Sequence, residues 1–179
     1  GAQLDGSPAL ILSNAVGPIN TSFNKGNTDV NYDEHENGIE YVGSGGTVVI
    51  ASNIIHDTTA VCVYFGSAAA TVGYFHNNVI YNPNTTALRV DPSNVSASYF
   101  VNNNTIESGS AYCIESVTRS GAVNLLGVTN NHFITSGSVM GINGAVTVQA
   151  YANNITNSSA AATSAGYTAG NLYAPTSPS

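Results

Sequence analysis

The most regular feature of the chain is a six-residue pattern. It consists of an apolar residue, two residues of any kind, Asn, one further residue and a second apolar residue, as in Val-Asn-Asn-Asn-Thr-Ile at 101–106. The asparagines that match the pattern are Asn14, Asn53, Asn78, Asn104, Asn131 and Asn153. From the second copy onward they are 25, 26, 27 and 22 residues apart. A period of this size is typical of a solenoid, in which each repeat forms one coil and stacks on its neighbours.

The segments around each copy of the pattern have the character of short strands. They alternate apolar and polar residues, are rich in β-branched and aromatic residues, and are bounded by Gly, Ser, Asn and Pro. Alternation with a period of two places 48/50, 73/75, 99/101, 126/128 and 148/150 in the interior of one sheet. We therefore predict an all-β fold, a right-handed single-stranded parallel β-helix of six to seven coils. The predicted β-helix covers 1–157, with an insertion at 17–37, and 158–179 is predicted to be a C-terminal cap or an extended tail.

The asparagines of the pattern are predicted to form a structural ladder. An Asn amide group offers two donors and an acceptor, so stacked asparagines can bond to one another and to the backbone of the turns. Asn also tolerates a left-handed backbone conformation, which suits a bend between two short strands. The row is therefore interpreted as structural, in preference to catalytic.

Together these features resemble a known family. Inner apolar ladders, an Asn ladder and coils of 22 to 27 residues over 9–157 are similar to those of the pectin-lyase-like superfamily of right-handed parallel β-helices. That superfamily includes polysaccharide lyases, polygalacturonases, epimerases, phage tailspikes and adhesins, so the resemblance implies a fold and leaves the activity open. Asn27-Thr28-Asp29 is similar to a polygalacturonase motif, but Val30 follows where Gly is usual, and the accompanying motifs are missing.

Composition narrows the classes of partner. Charged residues make up only 7% of the chain, the net charge is −7, and there are 23 asparagines. Because a phosphate backbone requires clustered Lys and Arg, nucleic acid is not expected as a partner. No run approaches the roughly 18 apolar residues of a membrane span. Cys62 and Cys113 fall two coils apart, too far for a bridge, and are predicted to be free thiols.

The outward-facing positions carry the first candidate site. Two adjacent rows are predicted to bring together Tyr74, His76, Phe100, Asn102 and Tyr151. Aromatic rings beside amide and imidazole groups suit stacking on sugar rings and bonding to their hydroxyl groups. The alternatives are a face covered by a loop or by another protomer, and incidental exposure.

The insertion carries the second candidate site, because four of the ten acidic residues lie between Asp29 and Glu36. Calcium prefers several carboxylates on a flexible loop, so a calcium site is one hypothesis. Acid–base catalysis is another, and a solvated charged loop is the third. The candidate calcium ligands are Asp29, Asp33, Glu34 and Glu36, and the candidate catalytic residues are Asp33, Glu34 and His35.

Two further outward rows contain ionisable residues. Arg89 and Glu115 are predicted to pair across adjacent coils, which tests the register. His56, beside Asp57, is interpreted as a solvated turn residue in preference to a catalyst.

Three functions remain open from the sequence. The first is a secreted or surface-exposed module, of a cell or a virion, that recognises a polysaccharide or glycan receptor. The second is a polysaccharide lyase or glycoside hydrolase. The third is a structural component of an adhesin, virion or extracellular filament. The exposed strand edges of a solenoid also predict a homo-oligomer, or a place in a longer chain or assembly.

Overall fold

The computed structural model describes residues 2–4, 9–19, 37–43, 45–66, 71–92, 96–118 and 121–168, and these contain nineteen strands and one helix. In chain order the elements are β1 (Ala2–Leu4), β2 (Ala9–Leu12), β3 (Ala15–Val16), β4 (Ile39–Tyr41), β5 (Gly46–Ala51), β6 (Ile54–Thr58), β7 (Val63–Phe65), β8 (Thr71–His76), β9 (Val79–Pro83), β10 (Leu88–Val90), β11 (Ala97–Asn102), β12 (Thr105–Glu107), β13 (Ile114–Val117), β14 (Val123–Thr129), β15 (His132–Ile134), β16 (Met140–Asn143), β17 (Val146–Val148), β18 (Tyr151–Ala152), β19 (Ile155–Asn157) and α1 (Ser159–Ser164).

The strands form three parallel sheets. Sheet 1 has the order β1-β4-β7-β10-β13-β16, sheet 2 has the order β2-β5-β8-β11-β14-β17 with β18 also paired to β14, and sheet 3 has the order β3-β6-β9-β12-β15-β19. Apart from β17 and β18, which both pair with β14 in sheet 2, consecutive strands lie in successive sheets, and each coil stacks on the one before. This arrangement confirms the predicted all-β parallel β-helix.

The number of regular coils is lower than the six to seven expected. Four coils, from β4 to β15, have strands in all three sheets that pair on both sides. Within the described residues, β1–β3 and β16–β19 pair on one side only. These terminal sets carry the same pattern in the sequence, which is why counting repeats overestimates the regular coils.

One hydrophobic core runs between the three sheets. In β11 the burial alternates, so that Ala97, Tyr99 and Val101 are at most 1% exposed while the residues between them are half-buried. At one point in this core a small residue in one coil makes room for a large residue in the next. A Cβ added at Gly73 would lie 2.5 Å from Cδ1 of Tyr99, so Gly73 leaves the space that the Tyr99 ring fills. This complementarity is what close packing of an interior requires.

A β-bulge changes the inward positions of β14. The register with β11 shifts between Tyr99 and Phe100, because Tyr99 pairs with Leu125 and Phe100 with Gly127. The extra residue is Leu126, and the buried residue is Leu125, at 1% exposure. The prediction that position 126 faces the core was therefore wrong by one residue, since strict alternation takes no account of a bulge.

The asparagine ladder is present along the corner between sheets 2 and 3. Each ladder Asn except the last directs its backbone N–H and its Nδ2 to Oδ1 of the Asn in the next coil. For Asn78 and Asn104 these two distances are 2.9 and 3.1 Å. Nδ2 of Asn104 also donates to the Phe75 carbonyl at 3.0 Å. The inner members, Asn53, Asn78, Asn104 and Asn131, are at most 2% exposed, so the ladder satisfies buried donors and acceptors that would otherwise be costly.

Two details of the ladder differ from the prediction. The left-handed residue is the one before the ladder Asn, with φ between 56° and 59° at Ser13, Ser52, Asn77, Asn103, Asn130 and Asn153. In the last coil, Oδ1 of Asn154 accepts from the backbone N–H of Asn131 at 2.9 Å. Asn154 is therefore the last member of the ladder, and Asn153 is its left-handed neighbour. The pattern selected Asn153 because the apolar Ile155 follows it, but in this coil Thr156 pairs with Phe133 and takes the inward position.

Cys62 and Cys113 are both free and fully buried, as predicted. Burial raises the pKa of each thiol to about 12. Both side chains therefore behave as small apolar core residues.

Helix α1 lies on the outer side of sheet 3. Its N-cap is Ser158, whose Oγ accepts from the Ala161 N–H at 3.1 Å. Ala162 and Tyr167 pack against Val79, Tyr81 and Ile134. Residues 159–164 are therefore helical, and the other predicted form, an extended tail, does not apply to them. Among the residues that the structure describes, no helix is long and apolar enough to cross a membrane.

We predict that Asn104→Ala lowers the free energy of unfolding by about 3 kcal/mol, because several buried groups lose a hydrogen-bond partner at once. Chemical denaturation monitored by circular dichroism measures the change. The control is Asn103→Gly at the adjacent exposed position, where φ is 58° and glycine fits the backbone. Equal stability of the two variants would contradict a structural role for the ladder.

Candidate functional site

The candidate site lies on the outward surface of sheet 2, which we call the sheet 2 outer face. It consists of three rows of side chains that run across the stacked strands. The central row is Leu10, Val49, Tyr74, Phe100 and Gly127; on one side lies the row Leu12, Ala51, His76, Asn102, Thr129 and Ala152, and on the other the row Thr47, Val72, Ser98, Asn124 and Thr147. Stacked strands set the spacing between neighbours in a row at about 4.8 Å.

Two aromatic rings are stacked at the centre of this face. The ring centroids of Tyr74 and Phe100 are 5.0 Å apart, and the ring planes differ by 2°. Tyr74 is 37% exposed, and it is joined by other exposed apolar side chains, Val72 at 36% and Leu10 at 67%. The stack ends at Gly127, which has no side chain to continue it. Parallel stacking fixes both rings before any ligand arrives.

Polar side chains border the stack on one side. Nδ2 of Asn102 donates to Thr129 Oγ1 at 2.9 Å and to the Val101 and Gly127 carbonyls at 3.0 Å. In the coil before, Asn77 Nδ2 lies 3.2 Å from His76 Nδ1. If the amide donates there, Nδ1 of His76 is the acceptor and its Nε2 carries the hydrogen. The row therefore presents both hydrogen-bond donors and acceptors beside the rings.

The structure brings together four of the five residues that the sequence predicted for this site. Tyr74, His76, Phe100 and Asn102 are neighbours on β8 and β11, in the predicted rows. Tyr151 is not in the row of His76 and Asn102, because Ala152 pairs with Thr129 and Tyr151 pairs with Val128. Tyr151 thus occupies an inward position of the last coil, where it is 47% exposed. The same one-residue difference that moved the ladder to Asn154 moved this residue.

The sheet 2 outer face carries no formal charge on its described residues. None of the residues in its three rows is Asp, Glu, Lys or Arg. By contrast, the outward row of sheet 1 holds Arg89, whose NH1 lies 3.7 Å from Glu115 Oε2 and whose NH2 lies 3.4 Å from Asp91 Oδ2. The predicted Arg89–Glu115 pair is therefore present, and it lies on a different sheet from the candidate face.

The acidic residues of the insertion lie outside the described residues. This applies to the candidate calcium ligands and catalytic residues Asp29, Asp33, Glu34, His35 and Glu36. The described part of the chain contains no group of three or more His, Cys, Asp or Glu side chains placed to hold a metal ion. The hypotheses of a calcium site and of acid–base catalysis at the insertion stay predictions.

A second polar cluster on sheet 3 is more ordered than the sequence suggested. His56 Nδ1 lies 2.7 Å from Asp57 Oδ2, and the imidazole stacks on Tyr81 with centroids 4.8 Å apart. Hydrogen bonds from His56 and from Asn82 lower the pKa of Asp57. The His56 side chain is only 17% exposed, so the interpretation of a solvated turn residue was wrong. The sequence contained one indication of this packing, because Tyr81 follows His56 in the same outward row of sheet 3.

Comparisons of the chain with protein-family models, with curated proteins and with solved structures give no match. The function has therefore to be inferred from the chemistry of the described surfaces.

We predict that stability falls as the pH is lowered from 7 towards 5, in part through His132. Its ring packs edge-on against Tyr167 at 4.7 Å, and burial lowers its pKa below the ordinary 6.5. The unfolded chain therefore takes up a proton first, so stability falls below about pH 6.5 until the folded state is protonated too. Denaturation at several pH values should give a shallower slope for His132→Gln; an unchanged slope would contradict this assignment. At pH 8 His132 is neutral in both the folded and the unfolded chain. The difference in stability between the unchanged chain and His132→Gln at that pH therefore reports packing alone.

Proposed function

We propose that the sheet 2 outer face binds a polysaccharide or glycan that is uncharged, with its chain lying across the stacked coils. The observation that carries the proposal is an exposed, uncharged face in which stacked aromatic rings lie beside a row of hydrogen-bonding side chains.

The aromatic stack supplies the apolar part of the contact. Sugar rings have apolar C–H surfaces that pack on aromatic side chains, and Tyr74 is exposed enough to meet them. Phe100 holds the Tyr74 ring in place through a nearly parallel stack. A ring that is already fixed loses little conformational freedom when a ligand binds, so more of the contact energy contributes to affinity.

The bordering row supplies the polar part. His76, Asn102 and Thr129 follow one another across adjacent strands. Their imidazole, amide and hydroxyl groups can both donate to and accept from sugar hydroxyls. Because the row is parallel to the aromatic row, an extended ligand can meet both along its length, as ligands of solenoids commonly do.

The charge distribution favours a neutral ligand. The whole chain carries a net charge of −7, and the three rows of the face contain no cation to offset it. A polyanion such as polygalacturonate would therefore be repelled at low ionic strength, with no local ion pair in compensation. The proposed uncharged ligand therefore differs from the acidic substrates that the resemblance to pectin-lyase-like proteins suggests.

We also propose that the chain is a pectin-lyase-like protein that works outside a cell or on a virion surface. The coil lengths, the inner apolar rows and the Asn ladder support this placement. A face that binds glycans functions where glycans are accessible, which supports a secreted or surface location.

We predict that Tyr74→Ala weakens binding of a neutral oligosaccharide by about tenfold, the loss expected for about 1.4 kcal/mol of ring contact. The measurement is isothermal titration calorimetry against a panel of neutral glucan, mannan, xylan and galactan oligomers, with polygalacturonate as the anionic comparison. Asn102→Ala should weaken binding several-fold, since it removes one polar partner.

Tyr64→Ala is the matched control, because Tyr64 is a half-buried outward tyrosine on sheet 1. It should leave the affinity unchanged. Preferential binding of polygalacturonate would contradict the proposal that the ligand is uncharged. Loss of binding in Tyr64→Ala, with no loss in Tyr74→Ala, would contradict the assignment of the binding site to the sheet 2 outer face. New reducing ends in the same samples would show that the chain cleaves the ligand.

A further inference from the structure

The two ends of the β-helix present complementary hydrogen-bonding groups. Inside the helix, the residue after each ladder Asn donates its N–H to the ladder carbonyl of the preceding coil. This bond joins Val79 to Asn53 at 2.9 Å and His132 to Asn104 at 2.8 Å, and its last example joins Ile155 to Asn131 at 2.9 Å. These hydrogen bonds run in the same direction in every coil. The two ends of the β-helix therefore present opposite members of each donor–acceptor pair.

The C-terminal end offers donors and a carbonyl. Asn154 accepts through Oδ1 from Asn131, and its Nδ2 donates back to the Val128 carbonyl at 2.8 Å. In the ladder pattern its backbone N–H and its carbonyl face the next coil, and no described residue follows there. Two apolar side chains at inward positions of this coil, Ile142 and Tyr151, are 55% and 47% exposed.

The N-terminal end offers the matching groups. Asn14 donates to Asn53 through its backbone N–H and Nδ2, and its Oδ1 accepts no hydrogen bond from the described residues. Ala15 occupies the position of Val79 and His132, so its N–H points away from β6, towards a preceding coil. These are the acceptor and the donor that the Asn154 end would require.

Within the described residues, the terminal strands lack two features that usually prevent strand edges from pairing. None of the strands β1, β2, β3, β16, β17, β18 and β19 contains a charged residue or a proline. Natural edge strands commonly use both to block association. Helix α1 packs against Ile134 and Tyr81 on the side of sheet 3, and the exposed Ile142 and Tyr151 show that it leaves inward positions of the last coil accessible.

We propose that the C-terminal end of one copy of this chain stacks on the N-terminal end of a second copy, so that the Asn ladder and the sheets continue across the junction. Asn154 of one copy donates to Asn14 Oδ1 of the next, and Ala15 N–H donates to the Asn154 carbonyl. The interface is head to tail and does not close on itself, so it produces open stacks of variable length.

The test begins with sedimentation velocity over a range of concentrations. The chain should form a concentration-dependent series of species above the 18.3 kDa monomer, with no single preferred size. Ile142→Lys places a charge on the exposed C-terminal end and should abolish the series. Val72→Lys, at an exposed apolar residue of the sheet 2 outer face in an inner coil, is the control and should leave it unchanged.

A mixing experiment tests the direction of stacking. Ala15→Pro removes the N–H at the N-terminal end, and proline is tolerated on an edge strand. Each blocked variant, Ile142→Lys or Ala15→Pro, should be monomeric alone, and an equal mixture should form heterodimers and nothing larger. Circular dichroism must show that each variant is folded and unfolds in the same way as the unchanged chain. If Ile142→Lys fails to fold, Tyr151→Lys replaces it.

Three results would overturn the proposal. The first is a monomeric chain at every concentration. The second is self-association of Ala15→Pro alone, which would indicate contact between two C-terminal ends. The third is equal loss of association in Val72→Lys, which would place the interface on the side of the helix.

Discussion

The asparagine ladder is the interaction on which the rest of the structure depends. A polar side chain with several hydrogen-bonding groups is buried at the same corner of every coil, and it is stable there only if the next coil supplies its partner. Asn53, Asn78, Asn104 and Asn131 satisfy one another in this way. The requirement fixes the register between coils at one point, and the three sheets take their alignment from it.

Fixing the corner separates the inward from the outward positions. Inward side chains must fill a core of constant width, which is why Gly73 lies beside Tyr99 and why a bulge at Leu126 is needed where the coil is longer. Outward side chains are free of that constraint, so a row such as Tyr74, Phe100 and Gly127 can be selected for contact with a ligand. Among the described residues, the same ladder leaves groups of Asn14 and Asn154 without a partner, so the scaffold that presents the face also gives the β-helix two complementary ends.

Much of the fold could be predicted from the sequence, because a ladder repeats and each copy reinforces the assignment of the others. The neighbourhood of Tyr74, His76, Phe100 and Asn102 followed from period-two alternation within regular coils. The errors arose where a local feature, such as the β-bulge at Leu126 or the ladder position in the last coil, shifts the inward and outward positions by one residue. In the last coil Ile155 makes Asn153 match the apolar pattern, whereas the structure pairs Thr156 with Phe133 and places Asn154 in the ladder; this displaced Tyr151 from its predicted row. The environment of His56 was missed although Tyr81 follows it in the same outward row, because the row shows that the two residues are neighbours but not that their rings stack.

Native-state hydrogen exchange of the ladder backbone N–H groups tests the central claim most directly. If the ladder holds the coils together, the N–H groups of Asn53, Asn78, Asn104 and Asn131 should exchange only through global unfolding, with one common free energy equal to the stability of the chain. Exchange of these groups through local fluctuations, with free energies well below that of unfolding, would contradict the account.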